Sequence, residues 1–321
     1  MAFNTGTYSS LSDLLAAEAL DGNFVLLLAE RNNIPSHPAI YMCDPVDAAG
    51  SATRKVSHLG MLGYDLPSSL ADGSTIGLTA ISDGSTQVTA VRQTKAYSTT
   101  DLARMTLPDG RIDPQLLAAD AIASLNAKAT DLICDVIDGF SATGGPGSGN
   151  DLDVASVMAL VGAGAAANMS GPVMGVIHGQ QWSDLIVDGG TSIGSGGGGT
   201  QNYSAALAAM QTLQGNGFVG EWLGVSWYRN NRVKADGGAN NRVGAIFSRG
   251  GVMVVQGLFM RGVEDPTNQV LIGSNPEAGV GGVVLLERAR DAFGAETAFV
   301  SHGYLGASKG IEAGVSLISD L

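Results

Sequence analysis

Charge is what this chain has least of. Asp, Glu, Lys and Arg make up only 15% of its 321 residues, against roughly 25% in an average soluble domain. The basic residues are the scarcer sign, 17 against 30 acidic, giving a formal net charge of −13 and a pI near 4.5. That balance argues against a nucleic-acid reader, because phosphate contact needs a basic stripe. Cysteine is nearly absent. Cys43 and Cys134 stand too far apart for a zinc or redox motif and are too few for a disulfide framework. The N-terminus lacks a basic stretch followed by an apolar one, so no signal peptide is expected. No apolar run approaches the roughly 20 residues of a membrane span; 24–29 and 282–286 are far too short, and no membrane partner is expected.

The constellations that carry chemistry are missing too. The four histidines, His37, His58, His178 and His302, are scattered and have no metal-ligand spacing. No Gly-x-Ser-x-Gly elbow frames a nucleophile. Gly194-Ser195-Gly196 reads as flexible chain. His178, at the end of a predicted strand, reads as a hydrogen-bonded structural histidine. Asp151-Leu152-Asp153 lacks the rest of a calcium loop, and helix capping explains it. The run Gly196–Gly199 lacks the Lys-Ser/Thr of a phosphate loop. Arg229, Arg232 and Lys234 form one small basic cluster, read as a charged loop or solvated surface. No catalytic residue, cofactor or metal site is expected.

What is abundant is glycine, 46 of 321 residues, about twice the usual share of roughly 7%. Hydrophobic residues reach 45% and mean hydropathy is +0.17. Two readings stay open at this level: a small-residue globule, or a surface buried against other copies, since obligate interfaces are more apolar than free surface.

Along the chain, 11–20 has a helical pattern and 24–28 is a short apolar run, before Asn32, Asn33, Pro35 and Pro38 break regular structure. Residues 45–85 are rich in Gly, Ser, Asp and Pro. Asp72-Gly73 and Asp83-Gly84 read as hairpin turns, so this stretch is expected to be a long two-stranded excursion. About 40 residues is long for a plain loop, where roughly 12–15 is already uncommon. An alternating strand is expected over 86–97. Then Asp113-Pro114 gives a cap and a first-position proline. The stripe Leu117, Ala121, Leu125, Ala129, Leu132, Val136, widened by Ile122, Ile133 and Ile137, keeps three-and-four spacing for seven turns. Gly139 is placed as the C-cap. About 25 residues at 1.5 Å each make a rod of roughly 37 Å. The linker 143–150 marks a domain transition. A helix capped by Asp151 or Asp153 runs to about 166. A strand follows at 173–177, then helices at 180–186 and 203–213 around the glycine-rich tip 191–200. Strands are expected at 223–228, 245–247, 252–256, 281–290, 297–304 and 314–318.

The order of these parts resembles the tailed-bacteriophage major capsid proteins of the Hong Kong 97 type. So do the strings PVMGVIHGQQWSDL at 172–185, NRVGAIFSRGGVMVV at 241–255 and ERARDAFGAETAFVSHGYLGASKGIEAGVSLISDL at 287–321. The resemblance spans nearly the whole chain, and the order of the strings is more specific than any one of them. It implies an α+β fold with an N-terminal arm (1–44), an extended hairpin loop (45–85), a peripheral domain (86–144) with a spine helix at 113–139, an axial domain (145–285) and closing strands (286–321). It implies hexamers and pentamers of one sequence in an icosahedral shell, located in the virion after assembly in the host cytoplasm. The partners implied are further copies of itself, a separate scaffolding protein, a portal and decoration proteins. The shell would enclose double-stranded DNA without sequence-specific binding, and acidity suits a wall that must not adhere to DNA. Like charge repels within a screening length of about 8–10 Å.

Two departures refine this. Some members carry a fused scaffolding segment of about a hundred residues before the arm. Here the arm and hairpin occupy the first residues, so a separate scaffolding protein or none is expected, with no maturation cleavage. Some members cross-link a hairpin lysine to an asparagine. Lys55 is the only lysine of the hairpin, and an unlinked shell is expected. Arg54, Lys55 and His58 are the candidate inter-subunit contacts. The alternatives are a cellular nanocompartment shell of the same fold and an acidic α/β hydrolase.

Overall fold

A computed structural model of the chain describes residues 34–44, 52–59, 83–102, 114–166, 169, 171–194, 217–236, 241–257, 269–273, 283–291, 293–310 and 314–320. The helical pattern at 11–20, the run at 24–28, the Asp72-Gly73 turn, the tip 195–200 and the helix at 203–213 lie outside these residues.

The spine helix α1 (Pro114–Asp138) is the longest helix of the described chain and starts at the proline, whose missing N–H costs nothing in a first turn. Its buried stripe is Ala121, Leu125, Ala129, Ile133, Ile137 and Cys134, while Leu132 and Val136 flank it, partly buried. Gly139 does not take the left-handed conformation expected of it, as it is absent from the glycines with positive φ. The helix closes instead by i→i−3 bonds, with Gly139 N donating to Val136 O at 3.0 Å and Phe140 N to Ile137 O at 3.4 Å. Ser316 Oγ donates to the carbonyl of Ile137 at 2.8 Å, capping the helix end from the far end of the chain.

Two six-stranded sheets flank this helix. In the first, β1 (Ile40–Met42), β10 (Val252–Gln256), β13 (Glu296–Lys309), β12 (Val283–Asp291) and β11 (Gln269–Gly273) follow one another, and β4 (Val91–Thr100) also pairs with β13. In the second, the order is β5 (Ala142–Gly144), β14 (Gly314–Ser319), β9 (Arg242–Ser248), β6 (Val173–Ile177), β8 (Val225–Arg229), β7 (Phe218–Trp222). The helices α2 (Val154–Ala166) and α3 (Gly179–Gly194) pack with the second sheet through Leu152, Val157, Leu160, Trp182 and Leu185. The other core cluster joins α1 to both sheets, through Val252 and Leu305 on one side and Met174, Ala245 and Phe247 on the other. A third sheet is the hairpin of β2 (Thr53–Leu59) and β3 (Asp83–Thr89).

Several boundaries differ from expectation, each for a physical reason. Asp83-Gly84 is no turn: it pairs with Leu59 and His58 in the ladder. The single strand expected over 86–97 is broken at Ala90, where the chain leaves β2 for β13. Ala90 N donates to Ala52 O at 2.8 Å there. Gly306 of β13 makes room for the crossing, because a Cβ on it would lie 1.9 Å from Thr89 O. The strand expected from 223 starts at 225, since Leu223 (φ 55) and Gly224 (φ 73) form a two-residue turn between paired Trp222 and Val225. Both central residues with positive φ is the type I′ pattern that matches strand twist. The helix expected to end at 186 continues to Gly194. Trp182 and Leu185, 5% and 0% exposed, anchor its first turns, and each added residue then contributes a hydrogen bond at little nucleation cost.

Asp153 is the cap of α2: its Oδ1 accepts the backbone N–H of Ser156 at 2.7 Å. Asp153→Ala is expected to lower stability by about 1 kcal/mol, read as a shift in urea midpoint at constant slope; Asp151→Ala should be near neutral.

Candidate assembly surface

The hairpin of β2 and β3 is exposed along one face. Its base is anchored: Val88 is 1% exposed and packs, with Val56 partly buried beside it, on Cys43, Ala90, Met253 and Val255. Thr53 and Thr89 hydroxyls bond across the base at 2.9 Å. Beyond it, Lys55, Ser57, Ser85 and Gln87 are exposed. An isolated two-stranded ribbon is marginal in water and needs a third strand or a packed face. The described chain supplies neither past the base.

Arg54, Lys55 and His58 all fall on β2. Side chains alternate between faces with period two, so Arg54 and Lys55 take opposite faces, while His58 pairs with Gly84 in the ladder. Arg54 is half-buried and close enough to Cys43 to lower its pKa, while burial, first, and Asp44 push that thiol above its usual range. Lys55 stands on the open face.

The basic cluster is not a solvated loop throughout. Lys234 folds onto the spine helix, bonding Asp131 Oδ1 at 2.8 Å and Asp135 Oδ1 at 2.9 Å, and these two carboxylates hold its ammonium well above the usual range. Burial alone would raise Asp131, but the bonds from Lys128 and Lys234 outweigh it, and its pKa is lowered. Partly exposed pairs of this kind stabilise by about 1 kcal/mol or less; their effect here is to fix the 231–236 segment against α1.

His178 serves the fold. Its Nδ1 accepts from Gln180 N at 3.2 Å, and its own backbone N–H donates to Gln181 Oε1 at 2.8 Å, a reciprocal cap at the start of α3. Burial, with Arg242 nearby, lowers its pKa. Gln181, 0% exposed, then donates from Nε2 to Arg242 O at 3.1 Å and Ser319 Oγ at 2.7 Å. One side chain thus ties α3, β9 and β14 together, a role that no spacing in the sequence announces. Among the described residues no cluster of His, Cys, Asp or Glu is placed to hold a metal ion. Nor is any described helix long and apolar enough to cross a membrane.

No family model and no curated protein matches this sequence. Solved structures do. The capsid of Ralstonia phage GP4 superposes with a TM-score of 0.62 over 98% of both chains, at 11% identity. The head of Helicobacter pylori bacteriophage KHP40 gives 0.55 over 88% of both, at 10% identity. The chain has the Hong Kong 97-type capsid fold. The same fold also relates it to the SrpI encapsulin complex of Synechococcus elongatus, with a TM-score of 0.53 over 86% of this chain and 84% of that one, at 10% identity.

Proposed function

We propose that the protein is the major capsid protein of a tailed phage, a coat subunit assembling into hexamers and pentamers of an icosahedral head around double-stranded DNA. The observation that carries this is an architecture matched end to end by a phage capsid subunit, together with a hairpin on which Lys55, Ser57, Ser85 and Gln87 leave one face exposed among the described residues. In this reading, 45–85 lies over a neighbouring subunit and 86–144 is the peripheral part. The stretch 145–285 is the axial part and 286–321 closes the subunit, with 1–44 as its arm. Two strands of the axial stretch, β10 and β11, hydrogen-bond into the sheet of β4 and β13, and α1 shares its core with both sheets. A subunit cross-braced in this way turns as one body when a shell changes radius. The partners of such a head are a portal, a separate scaffolding protein or none, and, where present, decoration proteins. The net charge of −13 favours a wall that contains DNA without binding its sequence.

The encapsulin likeness supports a second reading, a cellular compartment shell. Negative-stain microscopy of the protein, expressed with its neighbouring genes, separates the two. Large DNA-filled heads support the phage coat, small DNA-free shells the compartment, and absence of any shell removes both. Boiling the particles in detergent should give one band at the monomer mass of 32.6 kDa; a ladder would show covalent links through Lys55.

A further inference from the structure

The turn between β12 and β13 ends in Phe293, which is fully exposed at 104%. An exposed aromatic on a loose loop is unremarked surface, but this one is held rigidly. Its backbone N–H donates to Asp291 Oδ1 at 2.9 Å, and Ala295 behind it takes a left-handed conformation at φ 49. Its carbonyl accepts from Asp101 N at 2.9 Å. Arg290 grips Asp101 with two bonds of 2.6 Å each. These contacts fix the backbone of the turn that carries the exposed ring.

A cleft of matching size lies elsewhere on the same sheet, between β4, β13 and α1. Its volume is about 200 Å³, and a cavity of about 150 Å³ already accepts a benzene ring. Ala121, Leu125 and Gly303 form its apolar floor, and Thr94, Ser124 and Ser301 its polar walls; Gly303 lets Leu125 pack onto the strand, since a Cβ there would meet Leu125 Cδ1 at 2.9 Å. Lys95 and Lys128 stand at its rim, bonded to Asp120 and Asp131 yet 41% and 39% exposed in their side chains. The turn offers carboxylates, with Asp291 and Glu296 on either side of the ring, that could share the partly exposed ammonium groups of the rim with Asp120 and Asp131.

We infer that Phe293 of one copy inserts into the Lys95–Lys128 cleft of another copy of this chain. The occupant cannot be the subunit's own ring. Turn and cleft sit on one strand, with Glu296 at its start and Gly303 seven residues on, roughly 23 Å away at about 3.3 Å per residue. Knob and hole on different patches of one chain make a head-to-tail contact, which closes into rings when the rotation allows. The inference rests on the shell reading above and adds a contact to it.

The test is paired cysteines in assembled particles: Phe293→Cys combined with Thr94→Cys or Ser124→Cys, bridged by oxidation or a short bis-maleimide. Native Cys43 and Cys134 are buried and should stay silent. A ladder of linked subunits in the pairs, and not in any single variant, is the expected result. Linkage by Phe293→Cys alone would mean that turn meets turn, and the inference fails. Shells that form normally but never link also overturn it, while leaving the shell reading intact; failure of the unmodified protein to form shells removes both. Phe293→Ala is expected to impair assembly with the melting temperature of the subunit unchanged, and normal assembly by that variant counts against the contact.

Discussion

Trp227→Ala is expected to destabilise the subunit by about 3–5 kcal/mol, enough to remove much of a stability that is typically 5–15 kcal/mol. The indole is 0% exposed and sits in the second core cluster with Trp182, Trp222 and Leu185. It lies directly over the backbone of the neighbouring strand. Gly175 pairs with Trp227, and a Cβ on Gly175 would fall 2.4 Å from the ring, so the ring occupies the place a side chain would take. Its Nε1 donates to Trp222 O at 3.3 Å, which gives the polar atom of a buried aromatic the partner it needs. Removal leaves a large cavity and exposes no compensating surface. Urea denaturation of the unassembled subunit measures the loss. Gly175→Ala should be severe in the native background and milder beside Trp227→Ala, a coupling expected of residues in contact. A loss under about 1 kcal/mol for Trp227→Ala would contradict the packing described, since core truncations of this size cost several times that.

The second large effect concerns association rather than folding. Reversing both charges, Arg54→Glu with Lys55→Glu, is expected to abolish shell formation while the subunit stays folded. The structure divides the contribution. Lys55 is on the open face of β2, so Lys55→Glu should leave subunit stability within about 0.5 kcal/mol and carry the assembly defect by itself. Arg54 is half-buried beside Cys43 and Asp44, so Arg54→Glu should also loosen the hairpin base. Light scattering or sedimentation reads assembly, and circular dichroism reads the fold. Normal particles from the double variant would discard these residues as contacts. Retained assembly with Lys55→Glu alone would move the contact to the Arg54 face.

Parts of the fold were legible in the sequence because they depend on local pattern. A proline at the first helical position and a seven-turn stripe determine α1 almost to the residue. The strands at 173–177 and 252–256 were read correctly because both are short, apolar and bounded by turn residues. The order of parts and three local strings, through their resemblance to a known family, pointed to the capsid fold. The candidate contacts were legible only as a segment; the two-residue alternation that separates Lys55 from Arg54 required the register of β2.

What only the tertiary structure decided is which surface covers which. Periodicity marks the face of a strand that is buried but carries no information about its partner, and the pairings here join distant segments: Thr100 faces Glu296, and Ala142 faces Val315. The break at Ala90, with Gly306 making way for it, arises because the chain changes partner there. Lys234, still partly exposed, folds onto α1 because Asp131 and Asp135 sit one turn apart there. Gln181 is buried because three elements converge on its amide, and Phe293 is exposed because its turn is pinned from behind. Each is a consequence of contacts between residues far apart in the chain, whose positions the local sequence does not encode.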